Sequence, residues 1–167
     1  MRKDKIWFLS NDINKFFFQI QHKHTDECLD AIGSKGDKIN VKMCHGLGGY
    51  QTFQYTKIGE LRSETKCLFP DKKGQIKTIG CDFSKIQKWT YKPMDDDFGL
   101  FIHQEDGLCL TYSHDEGQKS KKSKSMLKFL SKVVTDLGRT FSSPTLNKCD
   151  EQDPKQLWAM NLASKWK

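Results

Sequence analysis

Apolar and polar residues alternate over short stretches of this chain. Ile39-Asn40-Val41-Lys42-Met43-Cys44 and Gln75-Ile76-Lys77-Thr78-Ile79 each repeat every second residue, the signature of a strand with one buried face. Gln51-Thr52-Phe53-Gln54-Tyr55-Thr56 is aromatic and Thr-rich and predicts a further strand. Gly33, Gly36, Gly59, Gly74 and Gly107 punctuate these runs with turns. A helical period occurs in one segment: Met126, Leu127, Leu130, Val133, Val134 and Leu137 share one face, with Ser125 as a cap and Gly138 as a stop. The pattern therefore predicts many short strands and a single amphipathic helix. No apolar run approaches the length of a membrane span.

One glycine-rich stretch invites a ligand-loop reading. Gly46-Leu47-Gly48-Gly49-Tyr50-Gln51 approaches a dinucleotide fingerprint, but that motif needs glycine at position 51, a strand before it and a helix after it. The residues after Gln51 are strand-like, so the glycines are assigned to a turn.

The six cysteines select an architecture. They stand at 28, 44, 67, 81, 109 and 149, with no C-x-x-C pair and hence none of the usual zinc spacings. Cys28-Leu29, Cys67-Leu68 and Cys109-Leu110 are each followed by a second cysteine. Each second cysteine is then followed by Gln, any residue and an aromatic: Gln51-Thr52-Phe53, Gln87-Lys88-Trp89 and Gln156-Leu157-Trp158. A threefold repeat makes the simplest pairing Cys28–Cys44, Cys67–Cys81 and Cys109–Cys149. A loop of about fifteen residues closed this way contributes roughly 3 kcal/mol by the chain-entropy argument. Such bonds persist in oxidising compartments. Three units of roughly forty residues and four strands each suit a closed barrel, so the fold expected is an all-β trefoil. Its repeats span about 18–58, 59–98 and 99–167, and the Gln-x-aromatic residues fill the core. The third unit is enlarged by residues 116–146, which contain the lysine–serine run 117–124 and the predicted helix.

Charge narrows the functional classes. The net charge is +7, but six lysines and no acid lie between Lys119 and Lys132, and without those six the chain would carry +1. No face of Lys and Arg interleaved with aromatics is evident, which argues against nucleic acid as a partner. The basic amphipathic segment keeps contact with a membrane surface or a protein partner open. The N-terminal Ile6-Trp7-Phe8-Leu9 run breaks at Ser10-Asn11-Asp12, too short for a signal peptide.

The cysteine-framed, Gln-x-aromatic pattern resembles ricin-type lectin domains. The match goes further with one branch and resembles the C-terminal lectin domain of polypeptide N-acetylgalactosaminyltransferases. Cys28-Leu29-Asp30, Cys44-His45-Gly46-Leu47-Gly48-Gly49, Gln51-Thr52-Phe53-Gln54-Tyr55-Thr56 and Gly59-Glu60-Leu61-Arg62 carry the likeness. Trp7-Phe8-Leu9-Ser10-Asn11 resembles the end of the catalytic domain in those enzymes, which makes 1–17 a remnant of that end and its linker, and 18–167 the lectin domain. The resemblance implies the Golgi lumen or secretory pathway. It also implies partners that are glycopeptides bearing N-acetylgalactosamine (GalNAc) or other glycans, and a catalytic domain elsewhere. The family's manganese belongs to an Asp-x-His motif, and none of the five histidines here has aspartate two positions before it. No cofactor and no transferase activity are therefore expected of this chain alone.

The resemblance also assigns a sugar site. Its carboxylate is the Asp of Cys-Leu-Asp, kept here only as Asp30, since Phe69 and Thr111 stand in the other repeats. A carboxylate suits the role because charged acceptors form the stronger hydrogen bonds with sugar hydroxyls. The family's aromatic two residues before the second cysteine corresponds to Lys42, and its amide before Gln-x-aromatic to Tyr50, both departures. The expected carbohydrate contacts are Asp30, His45 and Tyr50. A degenerate trefoil serving as a structural or interaction module is the alternative. His22-Lys23-His24 places two imidazoles on one strand face but has no evident third ligand and is assigned to a surface strand; the acidic turn Asp95-Asp96-Asp97, a weak calcium candidate, is assigned to a solvated loop.

Overall fold

The computed structural model describes residues 17–31, 38–95, 97–113 and 142–162. The predicted helix at 125–138 lies outside them, as do most of the insertion and residues 1–16. Twelve strands occur among the described residues. They are β1 (Phe18–His22), β2 (Glu27–Asp30), β3 (Asn40–Met43), β4 (Gln54–Tyr55), β5 (Leu61–Ser63) and β6 (Lys66–Pro70), then β7 (Ile76–Gly80), β8 (Trp89–Pro93), β9 (Gly99–His103), β10 (Leu108–Thr111), β11 (Thr145–Lys148) and β12 (Trp158–Leu162). Four strands fall in each repeat. The predicted strand at 51–56 is shorter than its composition suggests: Gly49–Gln51 forms a 3₁₀ turn, and only Gln54–Tyr55 is paired as strand. Gln51 is drawn into the turn because its side chain bonds to backbone groups on both sides of Cys44.

Six strands close a ring. β12 pairs with β1, β1 bridges toward β4 through Phe18 and Phe53, β4 pairs with β5, Glu60 bridges to Lys88 at the start of β8, β8 pairs with β9, and β9 returns to β12. Closure removes the sheet edges that would otherwise template aggregation. The other six strands form three antiparallel hairpins, β2–β3, β6–β7 and β10–β11. Backbone bonds knit the hairpins into a cap: Val41 N–H donates to Ser142 O at 2.8 Å, Ile39 N–H to Ile76 O at 3.1 Å, and Leu146 N–H to Gly74 O at 2.9 Å.

The core repeats with the sequence. Leu29, Leu68 and Leu110 of the three Cys-Leu pairs and Phe53, Trp89 and Trp158 of the three Gln-x-aromatic motifs are all fully enclosed. Trp89 Nε1–H donates to Leu68 O at 3.0 Å and Trp158 Nε1–H to Leu110 O at 2.9 Å, so each indole satisfies its polar edge while burying its rings. Phe53 fills the same place in the first repeat without a donor. Disulfides join Cys28 to Cys44, Cys67 to Cys81 and Cys109 to Cys149, each within one repeat.

Candidate functional site

The three glutamines of the repeat share one local structure. Each amide straddles a second cysteine, accepting from the N–H just after it and donating to the carbonyl just before it. Gln87 accepts from Asp82 N–H at 3.0 Å and donates to Gly80 O at 2.9 Å. Gln156 accepts from Asp150 N–H at 2.9 Å and donates to Lys148 O at 2.9 Å. Gln51 does the same with His45 N–H at 3.2 Å and Met43 O at 3.0 Å. A buried amide with all its neighbours satisfied locks the loop that follows each hairpin.

Hairpin register then determines which side chains share a face, since residues directly opposite one another point to the same side. In the first repeat Leu29 faces Val41 toward the core, whereas Asp30 faces Asn40 and Cys28 faces Lys42 on the outer side. Asp30 and Lys42 are thus diagonal neighbours, and Lys42 Nζ lies 3.6 Å from Asp30 Oδ1. The other carboxylate oxygen, Oδ2, accepts from Gln51 Nε2 at 3.3 Å. Gln51 Oε1 takes a further bond from Gln19 Nε2 at 3.2 Å. Asp30 is only 1% exposed, so the ammonium and the amide offset the cost of burying its charge.

The glycine loop carries the remaining expected residues. Gly46, Gly48 and Gly49 have φ of 59°, 77° and 65°, in the left-handed region that side chains disfavour. These conformations fold the loop back so that Tyr50 O accepts from Ala31 N–H at 2.8 Å, beside Asp30. Tyr50 as a residue stays 54% exposed. His45 is exposed, and its Nδ1 accepts from Leu47 N–H at 3.2 Å. The loop tip bears Leu47 and β3 ends in Met43, both largely exposed. Asp30 is thus enclosed and ion-paired, whereas Tyr50 and His45 are exposed on the loop that follows its hairpin. The sequence reading missed Gln51 and the ion-pairing role of Lys42. Gln51 carried a signal, its threefold recurrence; the partner of Lys42 required the register.

The histidine pair at 22 and 24 is corrected. β1 ends at His22, and its ring turns inward, stacked on Tyr112 at 4.5 Å and edge-on to Trp158 at 5.2 Å. His22 Nδ1 lies 3.2 Å from Thr25 Oγ1 and Nε2 3.1 Å from Pro154 O, which leaves neither nitrogen for a metal. Burial holds its basicity below the ordinary value of 6.5. In the acidic turn, Asp95 Oδ1 accepts from Asp97 N–H and Phe98 N–H, and Oδ2 accepts from Lys23 Nζ at 3.2 Å. The Asp97 N–H bond leads in holding this carboxyl below its usual range. Among the described residues, one group of three metal-type donors lies within 4.8 Å, Glu60 with Cys67 and Cys81. Those two sulfurs are bonded to each other.

A family profile for the ricin-type beta-trefoil lectin domain matches residues 16–129. Polypeptide N-acetylgalactosaminyltransferase 13 of Rattus norvegicus is 35% identical over 71 residues, covering 37% of this chain and 13% of that protein. Polypeptide N-acetylgalactosaminyltransferase 6 of Homo sapiens is 28% identical over 171 residues, covering 91% of this chain and 23% of that protein. The crystal structure of GalNAc-T7 with UDP, GalNAc and Mn2+ superposes with a TM-score of 0.63 at 22% identity, over 89% of this chain and 22% of that one. The chain thus spans less than a quarter of the length of these relatives. The matched region is a lectin domain and not a catalytic one. With the threefold Cys-Leu, Cys and Gln-x-aromatic units and the closed twelve-strand fold, the chain belongs to the ricin-type beta-trefoil lectin domain family.

Proposed function

We propose that this domain binds carbohydrate, recognising GalNAc on O-glycosylated peptides through the outer face of its first repeat. The observation that carries the reading is the Asp30 carboxylate, the one acid among the three equivalent positions 30, 69 and 111. It is held by Gln51 and Lys42, and the loop that bears exposed Tyr50 and His45 returns to it through the bond from Ala31 N–H to Tyr50 O. A carboxylate accepts from two sugar hydroxyls. Lys42 Nζ, already at the site, donates to a hydroxyl or acetamide oxygen once it leaves Oδ1. The Tyr50 ring offers a flat apolar surface to the pyranose. Acting with a catalytic domain in the oxidising lumen of the secretory pathway, such a domain would direct a transferase toward peptides already glycosylated. Residues 1–17 would then belong to the end of that catalytic domain and its linker.

A second reading is favoured by one feature of the same site. Lys42 covers the carboxylate that sugar must reach, as expected of a trefoil retained as a structural or protein-interaction module. Calorimetric titration with a GalNAc-threonine glycopeptide separates the two. Under the lectin reading the wild type binds and Asp30→Asn does not; binding that survives Asp30→Asn removes the proposed site. Absence of binding by both the wild type and Lys42→Ala supports the structural module.

A further inference from the structure

The threefold register lets the three outer hairpin faces be compared position by position. Phe69 faces Lys77 and Cys67 faces Ile79 across β6–β7, so Phe69 stands where Asp30 does and Ile79 where Lys42 does. Ile86, just before Gln87, takes the place of Tyr50. In the third repeat the same positions are Thr111, Asn147 and Lys155. The first face is charged, the third polar, and the second apolar.

Among the described residues, none covers this second face. Ile79 is 45% exposed, Ile86 39% and Phe83 67%, with Phe69 half-buried beside them. Phe83 sits in the loop after Cys81 with φ of 65°, in the left-handed region that large side chains disfavour. The large ring at this strained position faces solvent. Lys88 Nζ, 5.8 Å from the ring centroid, lies over one side of it.

Charge identifies the kind of occupant. Residues 60–93 contain eight basic and four acidic residues, a surplus of four positive charges. Glu60 is buried between Arg62 and Lys88, Asp71 is paired with Lys77 at 2.7 Å, and Lys92 is paired with Glu151. The other two acids of the stretch, Glu64 and Asp82, are exposed, and Asp82 precedes Phe83. Lys72, Lys73 and Lys85 are exposed on the hairpin turn and on the 3₁₀ turn that bears Ile86. A second copy of this chain would bring like charge against like, and so would the lysine-rich 119–132 segment. We infer that the apolar face of the second repeat docks an acidic protein segment, whose apolar side chains pack on Phe69, Ile79, Phe83 and Ile86 and whose carboxylates meet the surrounding lysines. This inference is independent of sugar binding by the first repeat.

The test uses the whole chain and a fluorescent peptide of alternating glutamate with leucine and phenylalanine, monitored by anisotropy. The comparison ligands are the same peptide with lysine for glutamate, and vesicles of phosphatidylcholine with phosphatidylserine. The double variant Ile79→Thr with Phe83→Asn keeps a β-branched residue in the strand and puts a residue that tolerates the left-handed conformation at 83. Its urea midpoint verifies that the fold is retained. The acidic peptide is expected to bind the wild type, more weakly as salt rises, with affinity reduced about tenfold or more in the double variant. Asp30→Asn is expected to leave it unchanged. Failure of the acidic peptide to bind overturns the inference. Equal binding of the lysine peptide, binding confined to vesicles, or self-association in sedimentation that the double variant abolishes would each overturn it as well.

Discussion

Replacing Gln51 by leucine should destabilise this domain more than replacing Gln87 by leucine, although both side chains occupy the same place in their repeats. Leucine approximates the volume of glutamine, so the comparison isolates polar contacts from cavity formation. Gln87→Leu removes two hydrogen bonds, to Asp82 N–H and Gly80 O, at the solvent edge of a loop. At about 1 kcal/mol each this amounts to about 2 kcal/mol. Gln51→Leu removes the two corresponding bonds and also those to Gln19 Nε2 and Asp30 Oδ2. Gln19 and Asp30 are 4% and 1% exposed, so neither group regains water in compensation. Losing a partner at these enclosed groups costs about 1–2 kcal/mol more, which places Gln51→Leu at about 3–4 kcal/mol. Urea unfolding with disulfides intact measures both variants against the wild type, with equal m-values as the check that the denatured states match. Equal losses would refute the argument, because they would mean that the Gln19 and Asp30 contacts contribute nothing. Under the lectin reading Gln51→Leu also loosens the carboxylate, so glycopeptide affinity should fall while Gln87→Leu leaves it unchanged.

Burial lowers the basicity of His22, with His24 opposing its charge and Glu27 and Asp153 favouring it, so the fold prefers the neutral ring. Its contribution is complete above the unfolded value of 6.5 and is lost as pH falls from there toward the depressed folded value. The urea midpoint of wild type relative to His22→Gln should therefore narrow on acidification from pH about 7.5 to about 5, and a pH-independent difference would contradict the assignment. Selective loss of the Cys109–Cys149 bond, which closes a separation of 40 residues, should cost about 4 kcal/mol, against about 3 kcal/mol for Cys67–Cys81 at 14, each measured by Cys→Ser pairs in thermal unfolding. Glu60→Gln leaves Arg62 and Lys88 facing a neutral amide in a site where the carboxylate is fully enclosed. The expected loss is about 2–3 kcal/mol in urea unfolding, moderated because both cations reach solvent, and added salt should lessen it.

The fold was legible in the residues because its constraints are local and repeated. Cys-Leu, a second cysteine and Gln-x-aromatic recur in order, and each piece has one dominant physical role: a covalent staple, a core leucine, a loop-locking amide and a core ring. Alternation at 39–44 and 75–79 sufficed for β3 and β7, since one hairpin face must be buried. Composition misread 51–56 because strand propensity of the aromatic and threonine residues does not register that the Gln51 amide has backbone partners in the loop. It likewise left His22 on a surface strand, when the ring is buried against Tyr112 and Trp158, both distant in the chain.

At the site, sequence by itself singled out Asp30 and marked Lys42 and Tyr50 as departures from the resembling lectins. Only the tertiary structure decided what those departures do. Antiparallel register sets Lys42 diagonal to Asp30 and brings Gln51 beneath the other oxygen, so the missing aromatic is replaced by an ion pair. The same register shows the second repeat to be an apolar face, although Phe69, Ile79, Phe83 and Ile86 look unrelated along the chain. Which side of a hairpin a residue faces depends on pairing with a distant strand, and a shift of one residue would reverse every assignment. A sequence records the repeat; the closed barrel and its cap determine which of its residues meet.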